Sequence, residues 1–160
     1  MIDSSNIRAH QHAAGAVGGQ KRQALGRSRG GFGTKLHAKV DSFGMPLRIC
    51  ITGGEKHESG QAVRLYATDR CKFLLADKGY DNGAFRDFLG NNNTLAVIPG
   101  RRNRREAIIY DKAIYKERNF VERFFNRIKQ YRRVATRYDK LAVTFMGTIV
   151  IACIMIWLKA

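Results

Sequence analysis

Acidic side chains are scarce in this chain. Thirteen Asp and Glu stand against twenty-nine Lys and Arg over 160 residues, a formal charge of +16. A field of that size draws polyanions, so nucleic acid is the default partner. Proline occurs twice, and cysteine only at Cys50, Cys71 and Cys153. No CxxC pair exists among them, which excludes a zinc ribbon and a disulfide framework and fits a reducing cytoplasm. The first residues, MIDSSNIRAH, contain no apolar run that would act as a signal peptide. What remains is ordinary for a globular domain: 44% hydrophobic and 10% aromatic residues, enough to build one core.

The charge is uneven. Residues 1–40 carry a net +6, residues 41–100 are neutral, and residues 101–140 carry +9. A neutral middle between cationic flanks describes a core with basic margins. Residues 8–33, rich in Gly, Ala, Ser and basic side chains, read as a flexible basic loop. Thr34–Val40 alternates Leu36, Ala38 and Val40 with Lys35, His37 and Lys39, which predicts a half-buried strand. A turn at Asp41–Gly44 and a second strand through Leu47, Ile49 and Ile51 complete a hairpin. A short helix over 58–68, a strand at Lys72–Ala76 ended by Asp77, a helix capped by Asp81 or Asn82, and a strand at Leu95–Ile98 follow. The basic run Arg101, Arg102, Arg104 and Arg105 reads as a linker that touches DNA phosphates.

From about Tyr115 to Val134 the spacing predicts one amphipathic helix, with Phe120, Val121, Phe124, Phe125, Ile128 and Tyr131 on its apolar face. A last helix, Leu141–Leu158, has eighteen residues without a charge, the lower limit for a membrane span. Thr144, Gly147 and Thr148 dilute it, and the sheet needs a covering helix, so no membrane partner is expected. Strands and helices in this order predict an α/β fold: a mixed sheet flanked by helices.

Phosphoryl transfer between DNA hydroxyls calls for two divalent ions and a few carboxylates. Asp3, Asp77 and Glu122 are the candidates: one near the start, one at a buried strand's end, one on the amphipathic helix. Tyr115, Arg118, Glu122 and Lys129 share a stripe at the edge of that helix's buried face. On spacing alone, a solvated Arg118–Glu122 pair is the simpler reading. Asp41 and Asp81 sit in turn contexts, and Asp69, Asp87 and Asp111 read as surface residues. His10 and His12 lie in a Gly/Ala loop without further ligands; His57 follows Gly53-Gly54 and falls at the rim of a site.

Tyr115-x2-Arg118-x3-Glu122-x6-Lys129 resembles, at every position, the Y-R-E-K signature of insertion-sequence transposases with a DDE triad. Ile2-Asp3-Ser4-Ser5, Arg8-Ala-His-Gln-His-Ala-Ala-Gly15, Gly26-Arg-Ser-Arg-Gly-Gly31, Ala76-Asp77-Lys-Gly-Tyr-Asp81, Val121-Glu-Arg-Phe-Phe-Asn126 and Arg137-Tyr-Asp-Lys140 resemble blocks of the family-five insertion sequences, in order along nearly the whole chain. The resemblance implies one ribonuclease-H-like catalytic domain over residues 1–160, acting on double-stranded DNA at the bacterial nucleoid. It further implies Asp3, Asp77 and Glu122 as the triad holding two Mg²⁺ ions, for which Mn²⁺ substitutes. Arg118 and Lys129 would hold phosphates and Tyr115 would orient the strand. Family members carry a helical segment before the first Asp, whereas only Met1-Ile2 precede Asp3. The first strand is therefore expected to be cut short, with an upstream-frame product and a second copy of the chain as candidate protein partners. A basic DNA-binding remnant without catalysis, and a ribonuclease-H-like nuclease without strand transfer, are the competing functions.

Overall fold

The computed structural model describes residues 1–66 and 70–160. Strand β1 (Ile2–Ala9) is followed by a 3-10 turn at Gln11–Ala13, α1 (Gly19–Arg22), β2 (Gly26–Ser28), β3 (Gly31–Val40) and β4 (Pro46–Gly53). A 3-10 turn at Glu58–Gln61 leads into α2 (Ala62–Tyr66); β5 (Phe73–Leu75), α3 (Gly83–Asn91) and β6 (Leu95–Val97) come next. The C-terminal third holds α4 (Lys112–Lys116), α5 (Asn119–Ile128), α6 (Arg132–Ala135), the short β7 (Thr136–Arg137) and α7 (Ala142–Trp157). The expected α/β class is observed. β1 lies between β3, antiparallel, and β7, parallel; β2 and β4 share the other edge of β3, while β5 and β6 form a parallel pair of their own.

Apolar residues fill both faces of the sheet. On one, Ile7, Leu36, Ala38 and Val40 meet Val121, Phe124 and Ile128 of α5 and Phe145, Ile149 and Ile156 of α7. On the other, Ile2 and Cys50 meet Leu65, Tyr66, Leu74, Tyr80, Phe85 and Leu89. Each such large side chain contributes about 1.5–3 kcal/mol on burial, which holds the helices to the sheet. The β3–β4 turn forms as the sequence predicts. Asp41 Oδ1 accepts the N–H groups of Phe43 and Met45, both at 2.9 Å, and Gly44 takes the left-handed conformation at φ 79°.

Several expectations need correction. β1 is an eight-residue strand paired with β3 from Ile2↔Lys39 to Arg8↔Gly33, so Asp3 sits within a regular β-ladder. Residues 8–33 are not a loop throughout: they contain the end of β1, α1, β2 and the start of β3. Their inward carbonyls are bound by a distant residue. The Arg137 guanidinium has no solvent exposure and donates to the carbonyls of Gln23 (2.8 Å) and Ala24 (3.3 Å) and to Thr34 Oγ1 (2.7 Å).

β3 is buried on both faces, not one. His37 Nε2 pairs with Thr52 Oγ1 at 2.8 Å, and Lys39 Nζ donates to the Tyr66 carbonyl at 3.1 Å. Burial pushes the His37 imidazole down to about 4. The helix expected over 58–68 becomes a 3-10 turn and α2; Ala67, Thr68 and Asp69 lie outside the described residues. Among the described residues no helix is long and apolar enough to cross a membrane.

Candidate active site

The single helix expected over 115–134 is instead α4, α5 and α6. Asp111 starts α4, its Oδ1 accepting from Ala113 N (2.8 Å) and Ile114 N (3.0 Å). Between α4 and α5 the ladder tightens: the N–H groups of Arg118, Phe120 and Val121 bond to the carbonyls three residues back. Such a 3-10 joint rotates the flanking turns relative to one another. Val121, Phe124, Phe125 and Ile128 still anchor α5 on the core, and their packing fixes where its polar edge meets β1.

That edge carries the predicted stripe. Arg118 Nη1 donates to Asp3 Oδ2 at 2.7 Å across 115 residues of sequence, and Arg118 Nη2 pairs with Glu122 Oε1. One guanidinium thus joins two of the three candidate acids. Tyr115 lies beneath it, with the guanidinium carbon 5.8 Å from the ring centroid. Lys129, at the end of α5, donates to Ser5 Oγ at 2.6 Å, tying the same helix to the same strand. Asp3 is largely buried, and burial pushes its carboxyl up from 3.8 to about 6. The Ser4 N–H and Arg118 only partly oppose that, and the charge of Asp77 adds to it. Glu122 is about half exposed.

Asp77 ends the β5 side of the site. Its Oδ1 accepts the Gly79 N–H at 2.8 Å, capping a 3-10 turn over Lys78–Tyr80. A fourth acid, Glu58, which the sequence did not single out, reaches the same place. A Cβ on Gly79 would overlap Glu58 Oε2 and lie 2.9 Å from Asp77 Oδ1. Tyr80 has a fully buried hydroxyl without a partner, and Asp3, Glu58 and Asp77 are among the charges acting on it.

Hard oxygen donors of this kind suit Mg²⁺ or Mn²⁺. Burial, the largest cause, and the nearby charge of Asp77 keep the Asp3 carboxyl raised although Arg118 is bonded to it. Among the described residues no three His, Cys, Asp or Glu side chains stand close enough to ligate one ion together. The acids instead meet in two pairs: Asp3 with Glu122 through Arg118, and Asp77 with Glu58 at Gly79.

The arginine run after Pro99-Gly100 differs from its expected role in part. Asp81 is buried and accepts from Arg86 Nε (2.8 Å), Arg104 Nε (2.7 Å) and the Arg101 N–H (2.8 Å). Burial alone would raise its pKa, but these donors, Arg104 foremost, hold it down at about 2. Arg101 also binds the Gly79 carbonyl at 2.9 Å. Arg101 and Arg104 therefore secure the Asp77–Asp81 turn from outside; Arg102, Arg104 and Arg105 are all exposed, but of these three only Arg104 bonds to Asp81. Asp81 caps no helix; Asn82 does, through Phe85 N. His57 caps the turn bearing Glu58, and His10 stacks on Tyr138 at 4.9 Å. A concavity of about 430 Å³ beside Met1, Leu47, Cys71 and Phe73 is lined by none of the candidate triad and is mostly apolar.

A mixed sheet flanked by helices is consistent with a ribonuclease-H-like fold. The chain belongs to the transposase DDE domain family, whose model matches residues 1–157. A relative from Brucella ovis, named for the transposase of insertion sequence element IS6501, is 41% identical over 128 residues, covering 79% of this chain and 98% of its own length. Another from Burkholderia cepacia, named for the transposase of insertion sequence element IS402, is 25% identical over 136 residues, covering 78% of this chain; the match spans 62% of that protein. No solved structure matches this chain.

Proposed function

We propose that this chain is the catalytic core of an insertion-sequence transposase, in which Asp3, Asp77 and Glu122 hold two Mg²⁺ ions while double-stranded DNA is nicked and joined. The observation that carries this is the Arg118 guanidinium bonded at once to Asp3 of β1 and Glu122 of α5. Surface pairs one turn apart are common, but a guanidinium shared between a helix carboxylate and a largely buried carboxylate on the central strand is a built feature. Divalent ions, when bound, lower the pKa of water and stabilise charge on the leaving oxygen.

The chain's own residues supply position. Asp3 is held by the β1–β3 ladder, Asp77 by its turn, and Glu122 by the packing of α5. Arg118 keeps Asp3 and Glu122 in register and presents its remaining donors to a DNA phosphate. Lys129 gives a second phosphate contact, and Tyr115 flanks the same strand. Water attacks a phosphodiester at the element's end, the P–O3′ bond breaks, and the freed 3′-hydroxyl attacks a target phosphodiester in the same way. The +9 segment 101–140 faces the duplex, chiefly through Arg102, Arg105 and the arginines of α5 and α6.

The test is nicking of a supercoiled plasmid bearing the element's ends, with Mg²⁺ or Mn²⁺. Glu122→Gln keeps the side chain's size and removes its charge, so nicking should fall at least about a hundredfold while DNA binding persists. Equal nicking by parent and variant would overturn the three-carboxylate reading.

A further inference from the structure

Glu58 is held by contacts that leave one of its oxygens directed at Asp77. Its turn begins at His57, whose Nδ1 accepts the Ser59 N–H at 3.3 Å. Glu58 Oε1 accepts from Ser4 Oγ at 2.8 Å and lies 3.8 Å from Lys35 Nζ. Ser4 is the neighbour of Asp3 on β1, so the same strand positions both acids. With Oε1 engaged, Oε2 lies beside Gly79: a Cβ there would overlap it and sit 2.9 Å from Asp77 Oδ1. Among the described residues, Asp77 makes a hydrogen bond to the Gly79 N–H and no ion pair. Two carboxylates from separate elements thus converge on one point without the arginines that surround Asp81.

Tyr80 gives independent support. Its side chain has no exposure and its hydroxyl no partner, and the charges of Asp3, Glu58 and Asp77 all act on it. A buried hydroxyl left unpaired is rare and costs stability, and it marks a place where a further oxygen ligand or ion belongs.

We propose that Glu58 is a fourth carboxylate of the metal centre and shares with Asp77 one divalent cation, with the Tyr80 hydroxyl beside it. This rests on Asp77 being a metal ligand. The measurement is binding of Mn²⁺ to the purified chain without DNA, read from the electron paramagnetic resonance of the free ion. Melting of each ion-free variant is followed by circular dichroism. Glu58→Gln should weaken Mn²⁺ binding by about tenfold or more, and Asp77→Asn by at least as much. Asp87→Asn, exposed on α3, should leave it unchanged. Should Glu58→Gln fail to fold, Glu58→Asp retains the charge one carbon shorter and should bind with intermediate affinity. Parent-like binding by a folded Glu58 variant, with Asp77→Asn defective, overturns this proposal alone. Parent-like binding by both overturns the assignment of Asp77 as well.

Discussion

Asp3 and Asp81 both face arginine from buried positions, and burial raises the pKa of each in the same sense. Their net shifts are opposite. Asp81 receives two guanidiniums and a backbone N–H and is held at about 2; Asp3 shares one guanidinium with Glu122, feels the charge of Asp77, and rises to about 6. At Asp3 burial, the largest cause, outweighs the Ser4 N–H and one shared guanidinium, whereas at Asp81 three donors together outweigh burial. The Asp81 cluster is a fastener; under the proposed function, the Asp3 carboxylate is where a cation binds. The Asp81 cluster ties the turn after Asp77 to α3 and to the segment after β6; the Asp3 cluster lies where β1 meets α5.

The contrast predicts separate consequences of removing charge. The largest effect on stability belongs to Asp81→Asn, which leaves Arg86 and Arg104 facing each other without a counter-charge. About 3 kcal/mol should be lost in chemical denaturation, with nicking retained by the folded fraction. An Asp81→Asn protein as stable as the parent would erase the distinction.

Asp3→Asn should act in the opposite direction. A carboxyl whose folded pKa is raised binds its proton more tightly folded than unfolded. Its ionisation therefore lowers stability as pH climbs from about 4 to about 6. At neutral pH the variant should be more stable than the parent by about 3 kcal/mol, and below pH 4 the two should coincide, while nicking is lost at every pH. For Asp81 the sign reverses: its contribution is present above pH 4 and fades as pH falls towards 2. Denaturation curves at pH 3, 5 and 8 separate the two clusters.

Lys129→Ala removes the Ser5 contact and a proposed phosphate ligand but no acid. DNA affinity should weaken, the slope of log affinity against log salt should fall by about one, and partial nicking should remain. The smallest effect is expected for the exposed Arg102→Ala and Arg105→Ala, which should lower DNA affinity without moving the melting temperature. Arg104→Ala should do the reverse, lowering the melting temperature with little change in affinity. Identical behaviour of all three would mean that the Asp81 contact is incidental.

Much of the fold was legible locally. Alternating Leu36, Ala38 and Val40, the Asp41–Gly44 turn, and the apolar stripe of α5 each follow from spacing of two or 3.6 residues. The candidate triad was legible in another way, from residue types at fixed gaps that resemble a family signature. Glu58 was not, because a single acid in a short loop has no periodic neighbour to mark it. Arg101 and Arg104 were read as phosphate contacts because a sequence reports charge without reporting whether an acid lies folded against it.

The sequence alone determined the basic margins, the α/β order of elements and the residues that match a transposase signature, since charge count, periodicity and gap lengths are properties of the chain itself. Only the tertiary structure decided which arginines are spent on acids, which acids face one another, and that β1 pairs between β3 and β7. Those outcomes depend on packing: α5 seats its apolar face on β1 and β3, and that contact alone carries Arg118 to Asp3 over 115 residues of chain. Burial then sets the energies, raising Asp3 where donors are few and leaving Asp81 ionised where they are many.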